Sequence, residues 1–242
     1  ADLVVLGAPV EVMAELVREA APHLSPGALV TDVGSVKACL AETLPGLLPA
    51  GVSYIGAHPM AGSHEGGAQN AREDLFDGSV CVITPAPATS GDSVRRVEAF
   101  WSALGAEVLR RDPAVHDTEV AWTSHVPHVL AFAFSRSLGR APEGASRVVG
   151  NGFRDFTRIA RSDARLWRAI LDANRKELAA PLEAFREALK ELAEAIERGD
   201  GEALQEFIDC ARENLEGIVP AQGVPGSDGL RSARSGGENP ER

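Results

Sequence analysis

The chain carries two kinds of apolar spacing, one after the other. Residues 2–9 (DLVVLGAP) make a short apolar run rich in valine and leucine, closed by Gly7-Ala8-Pro9, as in a strand buried on both faces. Val12, Leu16 and Val17 then share one helix face as far as about Pro22. Strand-like runs return at residues 28–33 (ALVTDV), 52–57, 80–84 and 106–109, with helix-like segments at 35–47 and 93–104. Strands alternating with helices through short turns predict βαβ units and a parallel sheet.

Beyond Arg111 the period becomes helical. Residues 113–138 predict one helix, kinked at Pro127 because proline removes a main-chain donor. Phe153, Phe156 and Ile159 are spaced as one buried helix face, and Leu178, Leu182, Phe185, Leu189, Leu192 and Ile196 form a seam for packing against other helices. Gly199-Asp200-Gly201 breaks the chain before a last helix holding Leu204, Phe207, Ile208 and Leu215. From about Gly217 the composition turns to Gly, Pro, Ser and charge, which predicts disorder. The expected class is α/β: a partial Rossmann-like parallel sheet over residues 1–111, an all-helical domain over 112–217, and a tail over 218–242.

Composition narrows the function. At 242 residues, 44% hydrophobic and 24% charged, the chain has the make-up of an ordinary globular protein. A net charge of -11 argues against a nucleic-acid footprint. Cys39, Cys81 and Cys210 lie far apart with neither metal-ligand nor redox spacing, and read as reduced packing residues of a cytoplasmic protein. No apolar run reaches membrane-spanning length.

Three segments have compositions that packing leaves unexplained. Thr31-Asp32-Val33-Gly34-Ser35-Val36-Lys37 falls at the carboxyl end of a strand, where open α/β sheets hold ligands. The plain reading of Ser35 is a cap for the next helix. His58 directly follows the next strand and is fixed by Pro59, ahead of a glycine-rich stretch too long for a turn. A lone histidine is usually structural, but one at this edge with a hydroxyl from a neighbouring strand end is a candidate base. His64 in the same stretch reads as a surface-loop residue. The third segment pairs His125-Val126-Pro127-His128 with Asn151-Gly152-Phe153-Arg154-Asp155-Phe156-Thr157-Arg158. Two histidines three apart could bind a metal, yet no third ligand accompanies them, so no metal is expected. Arg158 either pairs with Asp155 along a surface helix or turns its guanidinium toward a carboxylate ligand.

The signatures ADLVVLGAPV, TDVGSVK, AHPMAGS, SHVPH and GFRDFTRIARSDARLW, in this order, resemble the prephenate dehydrogenase family, which includes arogenate and cyclohexadienyl dehydrogenases. The resemblance runs from Ala1 to about Glu216. It implies oxidative decarboxylation of prephenate to 4-hydroxyphenylpyruvate in tyrosine biosynthesis, with hydride passing to NAD+ or NADP+. His58 would hydrogen-bond the substrate 4-hydroxyl and draw off its proton, and Ser35 would orient His58 beside the nicotinamide. His128 and Arg158 would contact substrate, Arg158 taking a carboxylate. Trp167 matches a pocket residue, Gly152 belongs to the substrate-side motif, and Asp155 matches a residue that reaches a site from the partner subunit. Gly7, Ala8 and Pro9, with Ser35, would face the cofactor. The helical domain resembles an interlocked homodimerisation domain.

Three departures accompany the match. Asn151 stands where the family commonly has glycine, and His64 where some members carry an acid. Ala1 aligns with a middle strand of the family's dinucleotide fold, so the Gly-x-Gly-x-x-Gly unit that anchors the pyrophosphate is expected to be missing from these residues. Two other classes remain open: a cofactor-free substrate-binding or regulatory relative, and a two-domain dehydrogenase of the 3-hydroxyacid or pyrroline-carboxylate reductase type. The second is disfavoured because HPMAG and GFRDFTRIA are not its signatures.

Overall fold

The structure is a computed structural model that describes residues 1–61 and 68–219. His64 and the tail expected to be disordered, from residue 220 onward, lie outside the described residues. The chain divides into two compact units, residues 1–183 and a second beginning at Ala184.

The first unit is built on five strands, β1 (Leu3–Leu6), β2 (Leu29–Asp32), β3 (Ser53–Pro59), β4 (Val80–Pro85) and β5 (Glu107–Arg110), in the spatial order β1-β2-β3-β4-β5. β1, β2 and β3 run parallel, as do β4 and β5. β4 instead pairs antiparallel with β3, placing His58 opposite Val82, so the sheet is mixed where uniform alternation predicted parallel strands throughout. A parallel return needs a crossover of a dozen or more residues, usually helical. Between β3 and β4 the regular structure among the described residues is one short turn, Ala68–Asn70.

The strands are buried on both faces, which explains their unbroken apolar runs. Leu29, Ile55, Ala57, Cys81 and Ile83 pack on one face against Val94, Val97 and Trp101 of α3 (Gly91–Ala103). Val30 and Tyr54 pack on the other with Met13 and Val17 of α1 (Val10–Ala20) and Leu40 of α2 (Ala38–Thr43). Trp101 is the largest fully buried side chain, and truncating such a group costs about 3–5 kcal/mol. Ser90 caps α3, its side chain accepting from Ser93 N at 3.1 Å.

The predicted long helix is three pieces: α4 (Pro113–Val120), a π turn at Ala121–His125, and α5 (Val126–Ser137). Pro127 has no N–H for the Thr123 carbonyl, and a wider turn absorbs the mismatch. Then come α6 (Asn151–Arg158), α7 (Ala164–Ala173) and α8 (Arg175–Arg198). The expected buried face of α6 is not buried. Phe153 and Phe156 share a face as spaced, but they meet the half-exposed Phe134 of α5, with ring centroids 6.0 and 5.4 Å away, at the surface.

The second unit holds the later part of α8 and α9 (Gly201–Ile218). Gly199 adopts φ +64, which favours glycine, and the Asp200 side chain accepts from Ala203 N at 3.1 Å to start α9. The seam residues Phe185, Leu189 and Ile196 are exposed in this chain. Cys39 is half-buried and Cys81 buried, as packing residues should be, but Cys210 on α9 is exposed. No helix of the described residues is long and apolar enough to cross a membrane.

Candidate active site

The carboxyl ends of β1, β2 and β3 meet at one edge of the sheet, and polar groups collect there. Asp32, the last residue of β2, is fully buried and accepts from Gly34 N at 2.8 Å, Ala57 N at 3.0 Å and the Tyr54 hydroxyl at 2.9 Å. It also forms an ion pair with Lys37 Nζ, which donates to the Ala57 carbonyl at 2.7 Å. Burial pulls the Lys37 ammonium below its ordinary range, and the Asp32 charge opposes that. Lys37 reaches β3 because Gly56 leaves it room: a Cβ there would sit 3.2 Å from Lys37 Cδ and 2.5 Å from Thr84 Oγ1. This network fixes the main chain on either side of Ser35 and just before His58.

His58 is inside β3 rather than just beyond it, and is buried at 7% exposure. Its Nδ1 lies 2.9 Å from Nε2 of His116, and His116 Nδ1 lies 2.8 Å from Asp117 Oδ1. Asp117 in turn accepts from Lys37 N at 2.8 Å and Ala38 N at 2.9 Å. The capping role considered for Ser35 is therefore filled from α4: α2 begins at Ala38 without a cap from a neighbouring side chain, and the Asp117 carboxylate takes its first N–H groups. Desolvation, reinforced by His116, Lys37 and His125, holds the His58 pKa well below the ordinary imidazole value. His58 is thus a neutral base near pH 7.

The π turn and α5 supply the next layer. His125 is buried, its Nδ1 2.9 Å from Asn174 Nδ2, which also donates to the Asp117 carbonyl at 2.9 Å. Burial lowers its pKa to about 4. His128 points elsewhere: its Nδ1 is 2.9 Å from the Ser124 carbonyl and its ring stacks on Trp167 at 3.6 Å between centroids. Burial lowers the His128 pKa, the Ser124 carbonyl opposes this, and the Arg158 charge adds to the lowering, which puts Arg158 within electrostatic reach. Trp167 is buried with Val36, Ile170 and Phe132, tying this cluster to the Ser35 segment. Arg158, Asp155 and Gly152 lie exposed on α6, and among the described residues Asp155 and Arg158 form no ion pair with each other. Gly7, Ala8, Pro9, Gly34 and Ser35 wall a cavity of about 320 Å³ whose remaining lining includes Leu166, Ala169 and Ile170.

His116 and Asp117 were not singled out from the sequence, and Lys37 was marked only as the end of the Thr31–Lys37 segment with no role of its own, although all three are buried. One signal was available. His116 and Asp117 sit four residues before Val120 and Ala121, both buried, so an adjacent histidine and aspartate fall on the inward side of a short helix.

A mixed sheet covered on both faces, with helices bringing His116 and His125 to the buried His58 at its carboxyl edge, defines an α/β protein with a polar site at that edge. A family model described as "Prephenate dehydrogenase, nucleotide-binding domain" matches residues 1–110, and one described as "Prephenate dehydrogenase, dimerization domain" matches residues 112–210. The chain is 32% identical over 212 residues to the cyclohexadienyl dehydrogenase of Zymomonas mobilis, covering 86% of this chain and 72% of that protein. It is 30% identical over 225 residues to the prephenate dehydrogenase of Bacillus subtilis, covering 90% of this chain and 60% of that one. Among solved structures, prephenate dehydrogenase from A. aeolicus in complex with hydroxyphenyl propionate and NAD+ superposes with a TM-score of 0.81 at 32% identity, over 90% of this chain and 76% of that one. The chain belongs to the prephenate dehydrogenase family. It spans 60% of the length of its Bacillus subtilis relative.

Proposed function

We propose that this chain carries the substrate side of a dehydrogenase that oxidatively decarboxylates prephenate to 4-hydroxyphenylpyruvate. The observation that carries the reading is the neutral, buried His58 at the sheet's carboxyl edge, backed by His116 and Asp117. In this role His58 accepts the proton of the substrate 4-hydroxyl as the adjoining C–H bond breaks, which is general-base work suited to a neutral imidazole. His128 and Arg158 hold the anionic end of the substrate, with Arg158 as the carboxylate partner. Trp167 walls the pocket and fixes His128 by stacking. Gly152 and Asp155 belong to the same substrate-side helix, with Asp155 directed at the site of a second subunit.

The cavity beside Ser35 fits the nicotinamide end of NAD+ or NADP+: its walls are mostly apolar, and Gly7 has open space where a Cβ would project. When bound, that group supplies the hydride acceptor. Gly7, Ala8 and Pro9 shape the slot, and Ser35 offers it a hydroxyl. The domain boundary we propose falls at residues 111–112, the sheet before it and the helices after, which the two family matches support. The exposed seam of Phe185, Leu189 and Ile196 supports a homodimer, and the three free cysteines suit a cytoplasmic setting.

The test is turnover by the intact protein, with prephenate and arogenate each offered with NAD+ or NADP+, read as reduced nicotinamide formed. Turnover of prephenate is the expected outcome. Turnover of arogenate alone would reassign the substrate, and binding of prephenate without turnover under any cofactor would favour a binding or regulatory protein.

A further inference from the structure

We infer that His116 and Asp117 are positioning residues that select the tautomer of His58 and so decide which of its nitrogens is the base. The inference rests on the proposed role of His58, and it adds two residues that the sequence motifs do not include. Asp117 already accepts main-chain N–H groups from Lys37 at 2.8 Å and Ala38 at 2.9 Å, so it acts as an acceptor throughout. The hydrogen in its 2.8 Å contact with His116 therefore belongs to His116 Nδ1. With a single N–H on its ring, His116 keeps Nε2 as an acceptor; an imidazolium there would donate from Nε2 as well and reverse the His58 tautomer, which is the outcome the spectrum below distinguishes. The 2.9 Å contact between that atom and His58 Nδ1 then requires Nδ1–H on His58. By elimination the lone pair of His58 is on Nε2. An isolated histidine side chain in water prefers the opposite tautomer, with hydrogen on Nε2, so the chain of contacts overrides an intrinsic preference.

Burial makes the selection firm. His58, His116 and Asp117 are 7%, 0% and 2% exposed, so a reversed tautomer would place an unsatisfied group in a dry site. Among the described residues, the titratable groups that act on His58 are His116 from α4, bonded onward to Asp117, His125 from the π turn, and Lys37 of the β2–α2 segment, paired with Asp32. When His58 takes up a proton its charge is shared along the chain toward Asp117, the one anion bonded into that chain. The same carboxylate holds the first N–H groups of α2, so the base and the Ser35 segment are located by one residue.

The test is a long-range proton–nitrogen NMR spectrum of the ¹⁵N-labelled intact protein near pH 7.5, with the His58 signals identified by their loss in His58→Asn. We expect His58 Nδ1 in the protonated range and Nε2 in the bare range. In His116→Phe the His58 pattern should move toward Nε2–H, and turnover should fall about 10–100-fold with substrate KM within a few-fold. His116→Gln, whose side-chain oxygen can still accept from Nδ1–H, should retain the parental tautomer and most of the turnover. A parental spectrum showing Nε2–H on His58 overturns the inference without any variant. So does a His116→Phe protein whose His58 tautomer is unchanged, since the residue would then be structural only. The NMR reading needs no substrate, so failure of the proposed reaction and failure of the positioning role give separate results.

Discussion

Around His58, the groups that matter are buried and mutually bonded: Asp32, Lys37, His58, His116 and Asp117 are all at most 7% exposed. Around Arg158 the conditions reverse, for Arg158, Asp155 and Gly152 are exposed on a helix with no buried residue, held by a surface cluster of Phe134, Phe153 and Phe156. On the proposed function, the difference follows from what each side has to do. A proton acceptor needs a fixed tautomer and a lowered pKa, and only a dry, saturated environment supplies both. A cation waiting for an anionic ligand gains nothing from early burial, which would cost desolvation before any partner arrives. In the proposed function the substrate itself, or a second subunit, completes that side.

The contrast can be tested from both ends. Replacing His58 by Asn should lower turnover on the order of 10³-fold while substrate KM stays within a few-fold, and near-parental turnover would remove His58 from the mechanism. Breaking the buried pair with Asp32→Ala should cost about 3–5 kcal/mol in urea unfolding, because Lys37 is left charged in a dry site. If the loss is under about 1 kcal/mol, the sheet edge is wetter than its burial implies.

Acid should act on the same side. His58 and His125 are held neutral, their pKa values lowered in the folded protein from the ordinary 6.5, and that of His125 to about 4. Below pH 6.5 the unfolded chain takes up protons that the folded one refuses, so this contribution to stability is present at neutral pH and lost as the pH falls. For His125 the loss runs from pH 6.5 to about 4 and is on the order of 3 kcal/mol. Urea midpoints measured from pH 7.5 down to 4.5 should decline accordingly; a flat profile would contradict buried neutral histidines.

Smaller effects belong to α6. Arg158→Ala should raise substrate KM about tenfold with kcat little changed, as expected for one charge-assisted contact, and an unaltered KM would end its carboxylate role. Phe153→Ala should cost under about 1 kcal/mol in thermal unfolding, since its ring is partly solvated. A cost of several kcal/mol would mean that a second subunit buries the cluster in solution.

Much of the architecture is legible in the order of residues. Strand runs such as LVVL and LVTD are apolar without alternation because both faces of the sheet are covered, and Gly199-Asp200-Gly201 marks a helix break by its own backbone and capping chemistry. His58 could be picked out because it sits at a strand's carboxyl end beside a proline. Less legible were the reversal between β3 and β4, which depends on pairing across the sheet, and the burial of α6, whose spacing predicts a shared face but not what lies against it.

Period and local chemistry act over a few residues, so the sequence alone determined where most strands and helices form, which residues share a face along them, and the motifs that mark the family. The partners of His58 are a matter of distance in space. His116 is 58 positions away, and Asp117 is 80 positions from the Lys37 N–H it accepts, so no local pattern links them. Only the packing of α4 against the sheet edge brings that carboxylate to the start of α2 and that imidazole to His58. The sequence could nominate His58 as a base; which of its nitrogens carries the lone pair is decided by the tertiary structure, because a hydrogen bond is set by where two groups end up and not by what stands beside them in the chain.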